Sequence, residues 1–221
     1  LGLALLLLFN AVPVATGPAE RVLPIMAAVF CAALVSSIAG FAFSAICGAL
    51  LLHLVDDPVR AVQIMMTCSA GGQAFMVWSL RREIDWRSLP PLLAGAAVGL
   101  PLGLFLLLES PPRLYAQALG VFLVAYAVYM LTRRPRKLSC QHVVLDGIVG
   151  FLGGITGGVA AFPGAPVTAW CALKGWNKER QRGVYQPFIL AVQLAAIALL
   201  ASGALPTRAP VTFDASGLAY L

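Results

Sequence analysis

The sequence predicts an all-α, polytopic membrane protein built from two inverted repeats, each a broken helical hairpin followed by transmembrane helices. Three observations carry this expectation. Of the 221 residues, 60% are apolar and 11% are charged, whereas a soluble domain carries about a quarter charged residues. Too few polar groups remain to cover a water-exposed surface, so lipid solvates most of the chain. The charges gather in short segments between apolar runs, and two long apolar stretches, 22–54 and 143–173, are each interrupted by small residues, glycine or proline.

The formal net charge of +6 comes from 15 Lys and Arg against 9 Asp and Glu. Basic clusters at the ends of apolar runs are how a membrane protein sets its orientation, so no nucleic-acid partner is expected. Cys31, Cys47, Cys68, Cys140 and Cys171 form no C-x-x-C pair and mostly lie in apolar stretches. They read as small buried hydrophobes, not as disulfides or metal ligands. His53 and His142 are too distant in sequence to suggest a metal pair, and no cofactor is expected. With no nucleophile–base pair or phosphate loop in a recognisable motif, the chain is not expected to be an enzyme.

Residues 1–21 hold an apolar run, Leu1 to Thr16, with no basic segment before it and no clear cleavage site after it. It is expected to be a first membrane helix missing its start, ended or bent by Pro13. The first repeat is expected over 22–131. It opens with 22–54, which carries no formal charge and is too long for one span yet short for two. Ser36, Ser37, Gly40 and Ser44 cluster at its centre, where a hairpin broken near Gly40 fits. After the polar loop Asp56–Arg60, one span is expected over Ala61–Leu80. The next, Leu89–Leu108, tolerates Pro90, Pro91 and Pro101 as membrane helices can. Leu114–Leu131 then returns the chain to the linker 132–142, which includes Arg133, Arg134, Arg136 and Lys137.

The second repeat, 143–221, begins again with a long apolar stretch. Its expected breaks are the run Gly153-Gly154-Ile155-Thr156-Gly157-Gly158 and then Phe162-Pro163-Gly164-Ala165-Pro166. Two prolines flanking a glycine disrupt a continuous helix. Gly150, Gly154 and Gly158 also lie four apart, which suits close helix packing. A span over Gly183–Ser202 follows. The stretch Phe213–Leu218 echoes Ile84–Leu89, so the chain would stop where two more helices should begin, and a fragment lacking part of its C-terminal end is expected.

The segments 81–87, 133–137 and 174–182 are rich in Lys and Arg, whereas 56–60, 109–113 and 204–210 carry one each. Placing the rich segments in the cytoplasm gives a consistent layout. A hairpin plus three crossings has odd parity, so its copy must be inverted. Matching interrupted segments in inverted repeats point to a transporter and to its binding site.

Apart from Asp146, the apolar stretches contain no Asp, Glu, Lys or Arg. Hydroxyls, amides and freed backbone N–H groups are what remain. Gln63, Thr67, Ser69 and Gln73 lie on the span after the first hairpin, and Gln186 and Gln193 share a face of the matching span in the second half. Half-helix N-termini bind oxyanions without a buried cation, and hydroxyl and amide donors add direction. This chemistry suits a small anion better than a metal cation. The expected substrate-binding residues are Ser37, Gly40, Ser44, Gln63, Gln73, Thr156, Gly157, Gly158, Phe162, Gly164, Gln186 and Gln193. The other function weighed is a channel-like or scaffold membrane protein whose hairpins pack against a partner.

The block Gly153–Gly158 through Phe162-Pro163-Gly164, continuing into Gly175-Trp176-Asn177-Lys178-Glu179-Arg180-Gln181-Arg182-Gly183-Val184-Tyr185-Gln186-Pro187-Phe188, resembles the sulfite exporter TauE/SafE family. The likeness extends in layout over nearly the whole chain, with Ala39-Gly40-Phe41 and Pro58-x-Arg60-Ala61 kept in the first half. The resemblance implies a multi-pass protein of the bacterial inner membrane that exports sulfite, sulfonates or related organic anions, its two breaks meeting near mid-membrane. Its expected partners are the bilayer and the anion, with a homo-oligomer left open.

Overall fold

The computed structural model of the chain describes residues 25–34, 43–54, 58–132 and 142–202. Among these the regular elements are all α-helices: α1 Ile25–Leu34, α2 Phe43–Leu54, α3 Pro58–Ser79, α4 Leu89–Glu109, α5 Pro112–Thr132, α6 Val143–Ala160, α7 Gly164–Leu173 and α8 Lys178–Ser202. The expected helix at 1–16, the break at Ser36–Gly40, the basic run 133–137 and the stretch 204–221 lie outside the described residues.

Helices α4, α6 and α8 are long and apolar enough to cross a membrane. The ends of α4 follow the sequence closely, α8 begins five residues before the expected Gly183, and Pro101 and Pro187 sit inside α4 and α8 without ending them. Helix α3 has the length, at 22 residues, but Gln63, Thr67, Ser69 and Gln73 make it the more polar one. Protein, not lipid, surrounds its first half: every residue from Ala61 to Ala70 is buried. A helix covered on all sides in this way is an interior element of the bundle. Helix α8 is its principal partner, with α2 beside it.

The most extensive helix pair is α4 with α6, and glycine makes it so. Gly95, Gly99 and Gly103 on α4 meet the backbone of Gly147, Phe151 and Ile155; Gly150, Gly154 and Gly158 on α6 meet that of Leu92, Ala96, Leu100 and Gly103. Residue numbers rise together along the seam, so the two helices are parallel. With almost no side chain between them, backbones approach closely enough for dispersion to act along the whole seam.

This packing corrects one expectation. The run Gly153–Gly158 does not break the helix; α6 continues through it to Ala160. Glycine costs about 1 kcal/mol in a helix interior, but here it is buried against neighbours that a larger residue would displace. The interruption is confined to Ala161–Pro163. Ala161 takes the left-handed conformation, φ 51°, and the N–H groups of Ala161 and Phe162 both donate to the Thr156 carbonyl, closing the end of α6.

Helix α7 then turns back. Lys174, at its end, reaches Asp146 in the first turn of α6, with Nζ 2.6 Å from Oδ1. The hairpin therefore leaves the bundle at the end where it began, as a re-entrant segment does. Asp85, in the turn before α4, bonds Arg180 at the start of α8, 2.9 Å apart. The beginnings of α4, α6 and α8 thus share one end of the bundle, together with the basic segments 81–87 and 174–182.

Candidate functional site

Polar groups buried in this bundle come from both halves of the chain. At the middle of α8, Gln193 Nε2 donates to Ser69 Oγ at the middle of α3, across 2.8 Å. Gln193 is 1% exposed and Ser69 5%. Gln73 lies one turn beyond Ser69 on the same face of α3 and is 8% exposed. The side-chain oxygens of Gln73 and Gln193 have no hydrogen-bond partner within the protein. An orphaned buried carbonyl costs about 1–3 kcal/mol, and such an oxygen is a place where another molecule can complete the bonding. The Gln186 side-chain oxygen likewise accepts no hydrogen bond within the protein, and the Tyr115 hydroxyl makes none.

A second contact joins the two halves. Ser44, in the first turn of α2, donates its hydroxyl to the carbonyl of Ala161, inside the break between α6 and α7. The first helix after the first expected break therefore touches the second break directly. Helix α5 closes this region from the side. Phe162 is buried edge-on to Tyr126 and Phe122, with ring centroids 5.4 and 6.5 Å apart. The Tyr126 hydroxyl lies 3.1 Å from Thr168 Oγ1 on α7, whose own proton is directed to the carbonyls of Gly164 and Ala165.

At the shared end of the bundle the charges form a chain. Asp146 receives Trp170 Nε1 and Lys174 Nζ, both at 2.6 Å. Lys174 stands over the Trp176 ring at 4.9 Å and Arg180 over the same ring at 4.2 Å. Arg180 then bonds Asp85. Burial by itself raises the Asp85 carboxyl, but hydrogen bonds from Arg180 and Ser88 and the guanidinium charge outweigh it and hold the group below its ordinary range.

A family model described as Sulfite exporter TauE/SafE matches residues 25–219. The chain belongs to the TauE/SafE family. Neither the curated proteins nor the solved structures gave a match. TauE/SafE proteins are membrane transporters of sulfite or related anions, which agrees with the apolar helices.

The expected site residues of this TauE/SafE chain fall into distinct surroundings. Ser37 and Gly40 lie outside the described residues. Ser44, Gln63, Gln73, Gln186 and Gln193 are all buried, and Gln186 and Gln193 lie two turns apart along α8. The Thr156 hydroxyl is turned back onto its own helix, donating to Leu152 and Gly153 carbonyls, while its carbonyl closes α6. Beside Gly157 stand Val192 and Pro163, beside Gly158 the backbone of α4, and beside Gly164 the side chain of Ile189. Protein atoms already fill the space next to these glycines. Ser69 was not among the expected site residues; its position one turn before Gln73 was the available signal. Lys174 and Trp170 were also missed, because nothing local announces a pair formed across a hairpin, although a lone acid at the start of an apolar helix calls for a partner.

Proposed function

We propose that this TauE/SafE protein is a multi-pass transporter of the bacterial inner membrane that exports, or facilitates the passage of, sulfite, a sulfonate or a related organic anion through a site between α3 and α8. The observation that carries this reading is the buried Ser69–Gln193 contact with its unpartnered amide oxygens, set at the middle of two helices from different halves of the chain.

The arrangement of those helices supports the inverted-repeat reading behind the proposal. Helix α3 follows the first hairpin and α8 follows the second, so they are the equivalents of one another. The loop after α3 meets the start of α8 through Asp85 and Gly183, so the two run antiparallel and touch at their midpoints. A two-fold axis in the membrane plane relates equivalent helices in this way, and substrate sites lie on such axes. The Ser44–Ala161 bond adds a second tie between the halves at the level of the breaks. Neutral donors and helix ends solvate an anion and still release it, which a buried cation would hinder.

Flux in proteoliposomes tests the proposal, comparing sulfite, sulfate, a sulfonate and a carboxylate on the complete protein. Selective flux of one sulfur oxyanion is expected. Ser69→Ala and Gln193→Met should each lower it by about tenfold, as loss of one buried hydrogen-bond partner does, with membrane expression unchanged. Absence of flux for every anion, from folded and oriented protein, would reject the transporter reading; wild-type flux in both variants would remove the α3–α8 site from it.

A further inference from the structure

We infer that the α3–α8 site takes its anion in the singly charged, proton-bearing form, hydrogen sulfite and not the sulfite dianion, and that the Gln73 and Gln193 amide oxygens read that proton. The inference rests on the transporter reading above and goes one step further, to the protonation state of the cargo.

The donor and acceptor inventory leads there. Gln193 spends its Nε2 on Ser69, and a hydroxyl that accepts this bond keeps its own proton to give. The site therefore offers the Ser69 proton and the Gln73 amide N–H groups as donors. Against them stand two acceptors with no partner, Gln73 Oε1 and Gln193 Oε1. A dianion brings acceptors alone and would leave the Gln193 oxygen, whose amide is oriented by its bond to Ser69, facing its negative oxygens. An anion with one O–H supplies what the unpartnered acceptors lack and still fills the donors.

Charge argues the same way. Among the residues whose side chains are described no Lys, Arg or His is buried, and the nearest thing to a buried cation, Lys174, is held by Asp146 at the end of the bundle. The cost of taking an ion out of water grows with the square of its charge, so a site without a countercharge discriminates strongly against the dianion. On the protein side two histidines are present, His53 in α2 and His142 just before α6, and the methanesulfonate control below separates any titration of theirs from that of the cargo. The helices packed around the site contribute Cys47, Cys68, Cys171, Tyr115 and Tyr185 as buried titratable groups, thiols and phenols that are uncharged near neutral pH, together with Asp146 on α6, which is paired with Lys174. The basic and acidic groups on the same helices, Arg60, Arg113, Lys178, Glu179, Arg180, Arg182 and Glu109, stand at helix ends and are exposed or half-exposed.

The test is sulfite flux by the complete protein in proteoliposomes, at fixed total sulfite, with equal pH on both sides and pH stepped through the interval where hydrogen sulfite loses its proton. Methanesulfonate, a permanent monoanion without an O–H, is the control. Sulfite flux should fall by about tenfold per pH unit above that interval, following the concentration of the protonated form, while methanesulfonate flux stays level. Sulfite flux that is level or rises with pH overturns the inference, as does a parallel fall for methanesulfonate, which would locate the titration in the protein. Gln73→Met and Gln193→Met, both checked for folding by gel filtration, should each weaken apparent affinity for hydrogen sulfite about tenfold; unchanged affinity in both overturns the assignment to these oxygens. No flux of either anion at any pH is a different outcome, and it strikes the transporter reading itself.

Discussion

Placing a methyl group at Gly150 puts the α4–α6 seam to a quantitative test. The added Cβ would lie 2.0 Å from the Leu92 carbonyl oxygen and 2.6 Å from its carbon, where ordinary contact begins at 3.4 Å. The helices would have to separate locally by about 1.4 Å, the difference between those two distances. Both obstacles are backbone, so no side-chain rotation relieves the clash. A gap of about 1 Å already forfeits up to half of each dispersion well along the contact, and overpacking of this kind costs about 1–3 kcal/mol. Replacing a helical glycine with alanine returns about 0.5–1 kcal/mol. Gly120 on α5 supplies the control, because a Cβ there meets nothing within 4 Å and Gly120→Ala keeps the gain without the clash. The two variants should differ by about 2 kcal/mol, which for a chain of this size is about 4–8 °C in melting temperature. Thermal unfolding of detergent-solubilised protein, followed by helical circular dichroism, reads the difference. If Gly150→Ala melts together with Gly120→Ala, or above it, the close seam does not exist.

Two further outcomes concern the charged end of the bundle. Asp146→Asn leaves Lys174 partly buried beside a neutral amide and should cost about 3 kcal/mol, whereas adding Lys174→Met should restore a large part of it; a double variant as unstable as the single would show that the pair is not coupled, and a double-variant cycle measures this directly. Asp85 has its carboxyl held low in the folded chain, so its contribution is complete at neutral pH and is lost as pH falls through the folded value, below the ordinary carboxylate range. Half-exposure of Arg180 limits that contribution to about 1 kcal/mol or less. The stability difference between wild type and Asp85→Asn should therefore be present at pH 7 and vanish in strong acid, and a difference that grows with acidification would contradict the pairing.

What the amino-acid sequence determined by itself is local and compositional. An apolar run of sufficient length in lipid must become a helix because its backbone groups have no other partner, so α4 and α5 were legible almost to their ends, and α8 from Gly183 to its end, its first turn being hidden in the charged run Lys178–Arg182. The Phe162–Pro166 break was legible too, since proline removes a donor and clashes with the preceding turn. The adjoining glycine run was not. A glycine tells equally of a weak helix and of a close neighbour, and only the approach of Leu92, Ala96 and Leu100 to Gly150, Gly154 and Gly158 decided between them. The site divides in the same manner. Buried glutamines on α3 and α8 stood out because an amide inside a membrane segment is expensive unless it has work to do. That Gln193 meets Ser69, that Ser44 meets Ala161 and that Asp146 meets Lys174 was decided by the tertiary structure alone. Such pairs bring together residues up to 124 positions apart, and the energy that selects one partner over another arises only when the helices are packed and water has been excluded from between them.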